Sequence, residues 1–364
     1  MKAIFNANFG KILFSSILFY TSFTLHAQEE KKFSLSGSID TYFRQNIGGP
    51  NGDDAIAPAT SFANLNGFVL GMANLIVNYE GEKVGFVADL VLGPRGEDAV
   101  FNSPLYTPDG GSSRIINQLY AYWNVSENIT LTLGNFNTFL GYEVISPVAN
   151  FNYSTSYMFS YGPFSHTGLK ADFQLTEDLS LMLAVMNSTD FTEFNPDGKY
   201  TGGLQLGYKG QFLNVLYGKQ TAYDGTGALI ADVDPTFQID YTGGFDFSEN
   251  IFLGINATYN TTDSAGFYGA ALYPQYAATE NFSIGLRGEY FSVFDNGLDG
   301  VIGLDGDGDG HVFAATLTGS YTLGDLMIKP EFRIDTASED TFLNGDLEPN
   351  KSLSSVLIAA IYSF

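Results

Sequence analysis

The feature of this sequence that most constrains its fold is an alternation of apolar and polar residues with a period of two. One parity of the first such segment carries Phe33, Leu35 and Ile39, while the other carries mainly serine and charged side chains. Successive side chains of a β-strand point to opposite faces, so the pattern predicts strands with one apolar and one polar face. The pattern recurs around Phe237 and Phe332, and no comparable helical period is visible after the N-terminal segment.

The breaks between the strands alternate strictly between short and long. Seven short breaks consist of turn-forming residues. Several of them have nearly the same sequence, for example Ser126-Glu127-Asn128. Eight long breaks fall between and around them. This alternation is typical of an outer-membrane barrel, which has short periplasmic turns and long extracellular loops. The long breaks span residues 47–66, 94–114, 138–165, 187–199, 220–234, 260–265, 292–310 and 336–352.

Counting the turns gives the architecture. Seven turns join fourteen strands, and the first and last strands bring the total to about 16, with both termini on the short-turn side. The predicted fold is therefore an all-β, transmembrane, antiparallel up-and-down barrel forming one domain over residues 28–364. Pro274 and Pro330 lie inside predicted strands, where the missing N–H is costly, so each is expected to mark a bulge.

Residues 1–27 are predicted to be a signal peptide. Lys2 and Lys11 accompany a short apolar run, and Ala27 is a small residue before the expected cleavage position. Removing two lysines takes the net charge from -24 to -26. That sign excludes a nucleic-acid binder, and the absence of cysteine excludes disulfide scaffolds and thiolate zinc sites. Only 15% of residues are charged and 15% are aromatic. This is expected for a barrel in which every second strand residue faces lipid and aromatic girdles mark both edges of the membrane.

Three segments resemble the OmpL-like β-barrel porin family. The longest begins Leu140-Gly141-Tyr142-Glu143 and continues to Gly168, and the shorter ones are residues 286–291 and 330–335. The resemblance implies an outer-membrane barrel for passive passage of solutes, with no binding residue to carry over. The chain also ends in an alternating strand closed by Phe364, which resembles the C-terminal signal read by the barrel-assembly machinery.

A barrel of about 16 strands encloses an aqueous channel. Charged residues on the inward parity are expected to contact its water, because an arginine or lysine facing lipid at the midplane costs about 2–4 kcal/mol. The predicted pore-lining residues are Arg44, Lys170, Asp172, Arg287, Glu289, Lys329, Glu331, Arg333 and Asp335.

The acidic surplus lies largely in the long loops. An acidic outer rim would favour cations mildly, although the same residues could simply keep the loops solvated. The acids concerned are Asp53, Asp54, Glu97, Asp98, Asp109, Asp224, Asp232, Asp234, Asp295, Asp299, Glu339, Asp340, Asp346 and Glu348.

The longest break, residues 138–165, is unusually aromatic. It is expected to fold inward and narrow the lumen, where its side chains either pack against the wall or contact solutes; both roles stay open. His166, just after it, is expected to be a satisfied wall residue. The predicted constriction residues are Tyr142, Glu143, Phe151, Tyr153 and Tyr157.

An outer loop carries carboxylates at Asp305, Asp307 and Asp309, a spacing that could converge on calcium. In an EF-hand loop that began at Asp305, the twelfth position would be a bidentate glutamate. Here it is Thr316, which excludes an EF-hand. The loop is expected either to bind calcium, with a further contact to lipopolysaccharide phosphates, or to be flexible and solvated. No other cofactor is expected.

The best-supported function from sequence is a porin that passes small hydrophilic solutes. An enzyme is not expected, because the mature chain has only His166 and His311, and the adjacent Ser165 would point to the opposite face of the strand. The alternative is a structural or adhesive barrel with an occluded lumen. The expected partners are outer-membrane lipid, lipopolysaccharide, the assembly machinery, small solutes and further copies in a homotrimer.

Overall fold

The computed structural model describes residues 32–101, 112–224 and 226–364; the predicted signal peptide lies outside them. Its strands are β1 (Lys32–Ile47), β2 (Gly67–Glu80), β3 (Val84–Leu92), β4 (Ile116–Ser126), β5 (Ile129–Asn137), β6 (Ser165–Gln174), β7 (Leu179–Met186), β8 (Thr201–Tyr208), β9 (Gln211–Lys219), β10 (Pro235–Ser248), β11 (Ile251–Thr262), β12 (Ala265–Ala277), β13 (Phe282–Phe294), β14 (Gly310–Leu323), β15 (Leu326–Ala337), β16 (Phe342–Leu343), β17 (Pro349–Asn350) and β18 (Ser352–Ser363). The helices are α1 (Pro94–Ala99) and α2 (Tyr157–Tyr161), with 3-10 turns at Gly52–Asp54 and Ser112–Ile115.

Sixteen of these strands close into one antiparallel barrel. Each pairs with its neighbours along the chain, and β1 closes the barrel against β18. The short β16 and β17 form a separate hairpin in the last outer loop. The predicted fold class and strand number are therefore confirmed. Among the described residues, no helix is long and apolar enough to cross a membrane.

Two details differ from the sequence predictions. The break at residues 260–265 is a two-residue turn, Asp263 and Ser264, because the β11–β12 ladder continues to the pair Thr262–Ala265. Neither proline marks a bulge: around Pro274 the pairs Leu272–Gly288 and Gln275–Gly285 keep one register, and the same holds around Pro330. Both prolines are exposed on the outward side of the wall.

The barrel wall is uneven in height. Strands β3 to β9 have 8 to 11 residues, whereas β10 to β15, β18, β1 and β2 have 12 to 16. We call these the short wall and the long wall. Since each residue adds about 3.4 Å along a strand, the long wall extends further through and beyond a bilayer.

The interior contains a folded core instead of an empty lumen. The third outer loop, residues 138–164, enters the barrel and packs against described parts of the first and second outer loops. At their meeting point Phe62, Val100, Ile145, Phe159 and Phe164 form one buried apolar cluster with side chains of β2 and β3. We call the described residues of 48–66, 93–101 and 138–164 the plug.

Candidate functional site: the plug and the charged wall

The third loop crosses the barrel from the short wall to the long wall. Beginning after β5, it donates the Gly141 N–H to Asp240 of β10, at 2.9 Å, and the Asn152 amide to Thr318 of β14, at 2.6 Å. Further along, the Tyr153 hydroxyl donates to Asp40 of β1, at 2.5 Å. These three wall residues are spread along the long wall, so the loop extends from β5 into the lumen and reaches that wall at several strands.

Arg287 of β13 forms the main ion pair between wall and loop. Its Nη1 lies 2.6 Å from Glu143 Oε1, and the two side chains are 0% and 3% exposed. The same guanidinium donates to the carbonyl oxygen of Ser154, at 2.6 Å, and to Thr316 Oγ1, at 3.0 Å. Hydrogen bonds to the remaining atoms offset part of the desolvation cost of a buried ion pair, and here the loop backbone supplies one of them.

Glu289, also on β13, binds the start of the loop helix α2. Its two carboxylate oxygens accept the backbone N–H groups of Tyr157, at 3.0 Å, and Met158, at 2.9 Å. The first N–H groups of a helix have no partner within the helix, so a carboxylate at this end satisfies them. Glu289 thereby fixes the position of α2 inside the barrel.

Two side chains of β15 hold the segment before α2. Glu331 accepts the backbone N–H groups of Tyr153, at 2.6 Å, and Ser154, at 3.0 Å. Lys329 Nζ donates to the carbonyl oxygen of Pro147, at 3.0 Å. Together they satisfy backbone groups of an irregular segment that would otherwise lose its hydrogen bonds to water on burial.

Two arginines contact the plug from the upper end of the same strand and from β1, which lies beyond β18 in the barrel. Arg333 pairs with Asp335, at 2.8 Å, and donates to the carbonyl oxygen of Thr155, at 2.8 Å. Arg44 donates to Asn46 Oδ1, at 2.8 Å, and to Asn66, at 2.9 Å. Both guanidinium groups are buried at the junction of the first and third loops.

Lys170 and Asp172 of β6 differ from the other predicted pore-lining residues. They form an ion pair at 3.2 Å on the inner face of the short wall, and their side chains remain 14% and 27% exposed. Lys170 also lies over the ring of Phe136, 5.4 Å from its centroid.

The seven other predicted pore-lining residues are buried against the plug or beside it, which differs from the expected contact with water. Their inward parity follows from the strand pattern. For most of them, what covers the side chain is a loop up to 182 residues away along the chain, for example 131 residues from Glu289, which no local pattern encodes.

The predicted constriction aromatics pack against the wall. Tyr142 stacks on Tyr273, with centroids 4.3 Å apart, and Tyr157 stacks on Phe291 at 5.4 Å. Glycines on the facing wall make room for the rings: a Cβ at Gly254 would collide with Tyr142. Phe151 and Tyr153 are likewise buried. Of the two roles left open by the sequence, the contacts in the structure are those of packing.

Arg95 of α1 is a central plug residue that sequence reasoning missed. Its Nε donates to the carbonyl oxygen of Ile145, at 2.8 Å, and its Nη1 to that of Tyr153, at 3.2 Å. The guanidinium also lies over the ring of Phe62, 4.3 Å from the centroid. A single arginine after Pro94 in a long loop gives no pattern from which this role could be read.

The remaining candidates lie elsewhere. His166 faces inward, and its Nε2 lies 3.0 Å from Thr138 Oγ1. Asp305 uses one carboxylate oxygen to accept the N–H groups of Asp307 and Asp309, both at 3.0 Å, as in a tight acidic turn. Within the described residues no three acidic or histidine side chains converge as metal ligands. Calcium binding stays a prediction from the sequence, and Asp109 lies outside the described residues.

Asp190, in the fourth outer loop, forms hydrogen bonds with the C-terminal end of the third loop. Its Oδ1 accepts the backbone N–H groups of Phe164, at 2.7 Å, and Ser165, at 2.9 Å. Burial of the carboxyl raises the pKa of Asp190 to about 6, although the two N–H groups act in the opposite direction. A raised pKa means that this group stabilises the fold at low pH and that the contribution is lost as pH rises through about 6.

Asp190→Asn is therefore expected to match the wild type in stability near pH 4 and to exceed it at pH 7. Asparagine keeps the accepting Oδ1 and tolerates the positive φ of 66° at this position. Urea unfolding in phospholipid vesicles across this pH range measures the difference. Asp325→Asn, in an exposed turn, is the matched control. A variant that is less stable than wild type at pH 7 would contradict the proposed cost of the buried charge.

Comparisons with known proteins agree with this architecture. A family model described as "Putative beta-barrel porin-2, OmpL-like" matches residues 32–364. The outer membrane channel DcaP of Acinetobacter baumannii is 14% identical with a TM-score of 0.57, over 93% of this chain and 99% of that one. A trimer form of OmpT, an outer membrane protein of Vibrio cholerae, is 11% identical at TM-score 0.55, over 92% and 100%. An anion-selective porin from Comamonas acidovorans is 11% identical at TM-score 0.56, over the same shares. These structural likenesses show the fold alone, and no curated protein sequence matches the chain.

Proposed function

The chain belongs to the OmpL-like β-barrel porin family, and from this premise we propose that it is an outer-membrane porin for small hydrophilic solutes. In this proposal solutes diffuse passively through a 16-stranded barrel whose lumen is narrowed by the plug. The family assignment and the closed barrel support the channel role, and the contacts of the plug support a narrow passage.

The observation that carries the proposal is the difference between the two inner walls. The Arg287–Glu143 pair on the long wall is fully covered, whereas the Lys170–Asp172 pair on the short wall keeps 14% and 27% of its side-chain surface exposed. The nearby inward residues Tyr122 and Thr130 are also only partly buried. Charged and polar groups that stay accessible inside a barrel indicate water. We therefore place the aqueous path along the inner face of the short wall.

A mild preference for cations is part of the proposal. Most acidic residues of the outer loops, including Asp53, Asp299 and Asp346, are exposed. Only a few basic residues share these loops; Lys351, for example, lies 3.5 Å from Glu339. An acidic entrance raises the local concentration of cations, more strongly at low salt.

The second candidate function is a structural barrel with an occluded lumen. It is favoured by the apolar cluster around Phe62, Ile145 and Phe159, which packs inside the barrel against β2 and β3. It is also favoured by the tight fit of the plug, since a cavity between the plug and Arg44 and Arg333 measures only about 10 Å³, the room of one water.

Planar-bilayer recording of the purified protein separates the two candidates. We expect small, discrete conductance steps, smaller than those of a 16-stranded barrel with an open lumen, and a reversal potential that favours cations at low salt. Silence at every voltage would support the occluded barrel and overturn the channel. A reversal potential favouring anions would overturn the cation preference alone.

The proposal includes a location and partners. Export by the signal peptide would bring the chain to the bacterial outer membrane, where lipid and lipopolysaccharide contact its outward face. Phe364 exchanges two backbone hydrogen bonds with Gly37, at 3.0 and 3.1 Å, and is exposed beside the closing seam. That position would suit a terminal residue read by the assembly machinery. A homotrimer would agree with the trimer form of a structural neighbour.

A further inference from the structure

One ion pair on the inner wall differs from every other charged group there. Between the two rims of the barrel, the charged side chains on the inward faces of the described strands are buried, as Asp240, Arg287 and Glu331 are. The exceptions are Lys170 and Asp172 of β6, which keep 14% and 27% of their side-chain surface exposed. A solute that moves along the short wall therefore meets one positive and one negative group side by side.

The protein leaves both members of this pair short of hydrogen bonds. Asp172 Oδ2 lies 3.2 Å from Lys170 Nζ and accepts no hydrogen bond from the described residues. By contrast, Glu289 and Glu331 each accept two backbone N–H groups, and Lys329 donates to a carbonyl oxygen of the plug. An ammonium group has three N–H donors and a carboxylate about four acceptor positions. The unfilled positions of this pair are therefore available to water or to a solute.

The surroundings of the pair allow contact from the lumen. Lys170 and Asp172 are two residues apart on one strand, so they project from the same face. Across the ladder they lie beside Thr132 and Thr130 of β5, and Thr130 is itself only partly buried. The pair carries no net charge, so it attracts neither cations nor anions from a distance, and its two charges act on a solute only at close range.

We propose that the Lys170–Asp172 pair selects α-amino acids in their dipolar form, an inference that rests on the proposed channel function. An α-amino acid carries an ammonium and a carboxylate group on one carbon, at a separation similar to the 3.2 Å between the charges of the pair. Aligned in the opposite direction, its carboxylate contacts the Lys170 ammonium while its ammonium contacts the Asp172 carboxylate. The result is a ring of four alternating charges held by charge-assisted hydrogen bonds.

Other classes of small solute gain less at this position. A singly charged solute makes only one of the two ionic contacts and places its charge beside the like charge of the pair. An uncharged polyol displaces water from both charged groups without bringing a charge to either of them. The pair therefore discriminates by the arrangement of charge on the solute, whereas the narrow lumen discriminates by size.

Uptake of radiolabelled solutes into vesicles that contain the protein tests this proposal, with protein-free vesicles as the blank. The probes are alanine, its singly charged derivatives N-acetylalanine and alaninamide, and the uncharged polyol erythritol. High salt screens the acidic outer rim but affects a partly buried pair much less. Under these conditions alanine at low concentration should enter about threefold to fivefold faster than each of the other three, which corresponds to one partly exposed ionic contact.

Two double variants assign the preference to the pair. Lys170→Gln/Asp172→Asn removes both charges with little change in volume and should lower the uptake of alanine to that of erythritol. Lys209→Gln/Asp178→Asn is the matched control, because this ion pair, at 3.5 Å, joins two periplasmic turns and both of its side chains are more than half exposed. The control should keep the wild-type preference for alanine.

The outcomes separate this proposal from the channel itself. Equal uptake of alanine and erythritol by the wild type would overturn the selection of amino acids and leave the channel in place, because erythritol still enters. A preference for alanine that survives in Lys170→Gln/Asp172→Asn would overturn the role of the pair. Uptake of none of the four solutes would overturn the proposed channel, and this inference with it.

Discussion

Replacing residues 139–163 with a short glycine-containing turn is expected to raise the flux of small sugars through the barrel by about tenfold or more, because an unfilled barrel of this size leaves an aqueous channel. The excision is sterically simple. The Thr138 N–H already donates to the carbonyl oxygen of Phe164, at 2.9 Å, and Asn137 pairs with Ser165. The ladder between β5 and β6 therefore stays intact, and liposome swelling with sugars of graded size measures the change.

The charged wall residues uncovered by the excision should not destabilise the barrel. Glu289, Glu331 and Lys329 lose hydrogen bonds to the loop but regain them from water. Tyr161→Phe is the matched control, since it removes only a hydroxyl that donates to the carbonyl oxygen of Ala59, at 2.5 Å, and leaves the loop in place. If the excised variant passed sugars no faster than wild type, the third loop would not be the element that limits passage.

The strand pattern was enough to predict the wall of this barrel. Because a charged side chain facing lipid is costly, alternate positions of every strand are apolar. Counting alternate positions along the strand therefore places Arg287 and Glu331 on the inward face. The order of short and long breaks gave the strand number for the same reason. Two details of the wall were wrong: the polar stretch at Asp263 and Ser264 is a tight turn instead of a long loop, and neither Pro274 nor Pro330 marks a bulge.

The interior could not be predicted to the same degree because its contacts join distant parts of the chain. Inward parity does not say whether water or another segment covers a charge, and the segment that covers Glu289 lies 131 residues earlier. Arg95 and Asp190 each act on the third loop from other outer loops, where no periodicity constrains a side chain. The aromatic content of residues 138–165 correctly singled out the segment, but its packing partners are set by the glycines and tyrosines of the opposite wall.

Arg287→Met is expected to loosen the third loop without opening the barrel itself. Removing one partner of a buried pair leaves Glu143 charged and uncompensated, which costs about 3–5 kcal/mol, whereas replacing both partners with apolar side chains is often neutral. The single variant should show larger and noisier conductance steps and faster proteolysis within the loop. The double variant Glu143→Met/Arg287→Met should return both readings toward wild type.

The double variant distinguishes the ion pair from the other contacts of Arg287, because this side chain also donates hydrogen bonds to Ser154 and Thr316. If the wild-type behaviour returns, the uncompensated Glu143 charge was what displaced the loop, and the pair acts as a matched unit. If the conductance and proteolysis of the double variant stay at the values of the single variant, those two hydrogen bonds hold the loop, and the ion pair does not. Lys170→Met, which breaks the partly exposed pair on the short wall, should leave proteolysis of the loop unchanged while altering conductance, since that pair lies on the proposed water path. A change in proteolysis there would instead place Lys170 among the contacts that secure the plug.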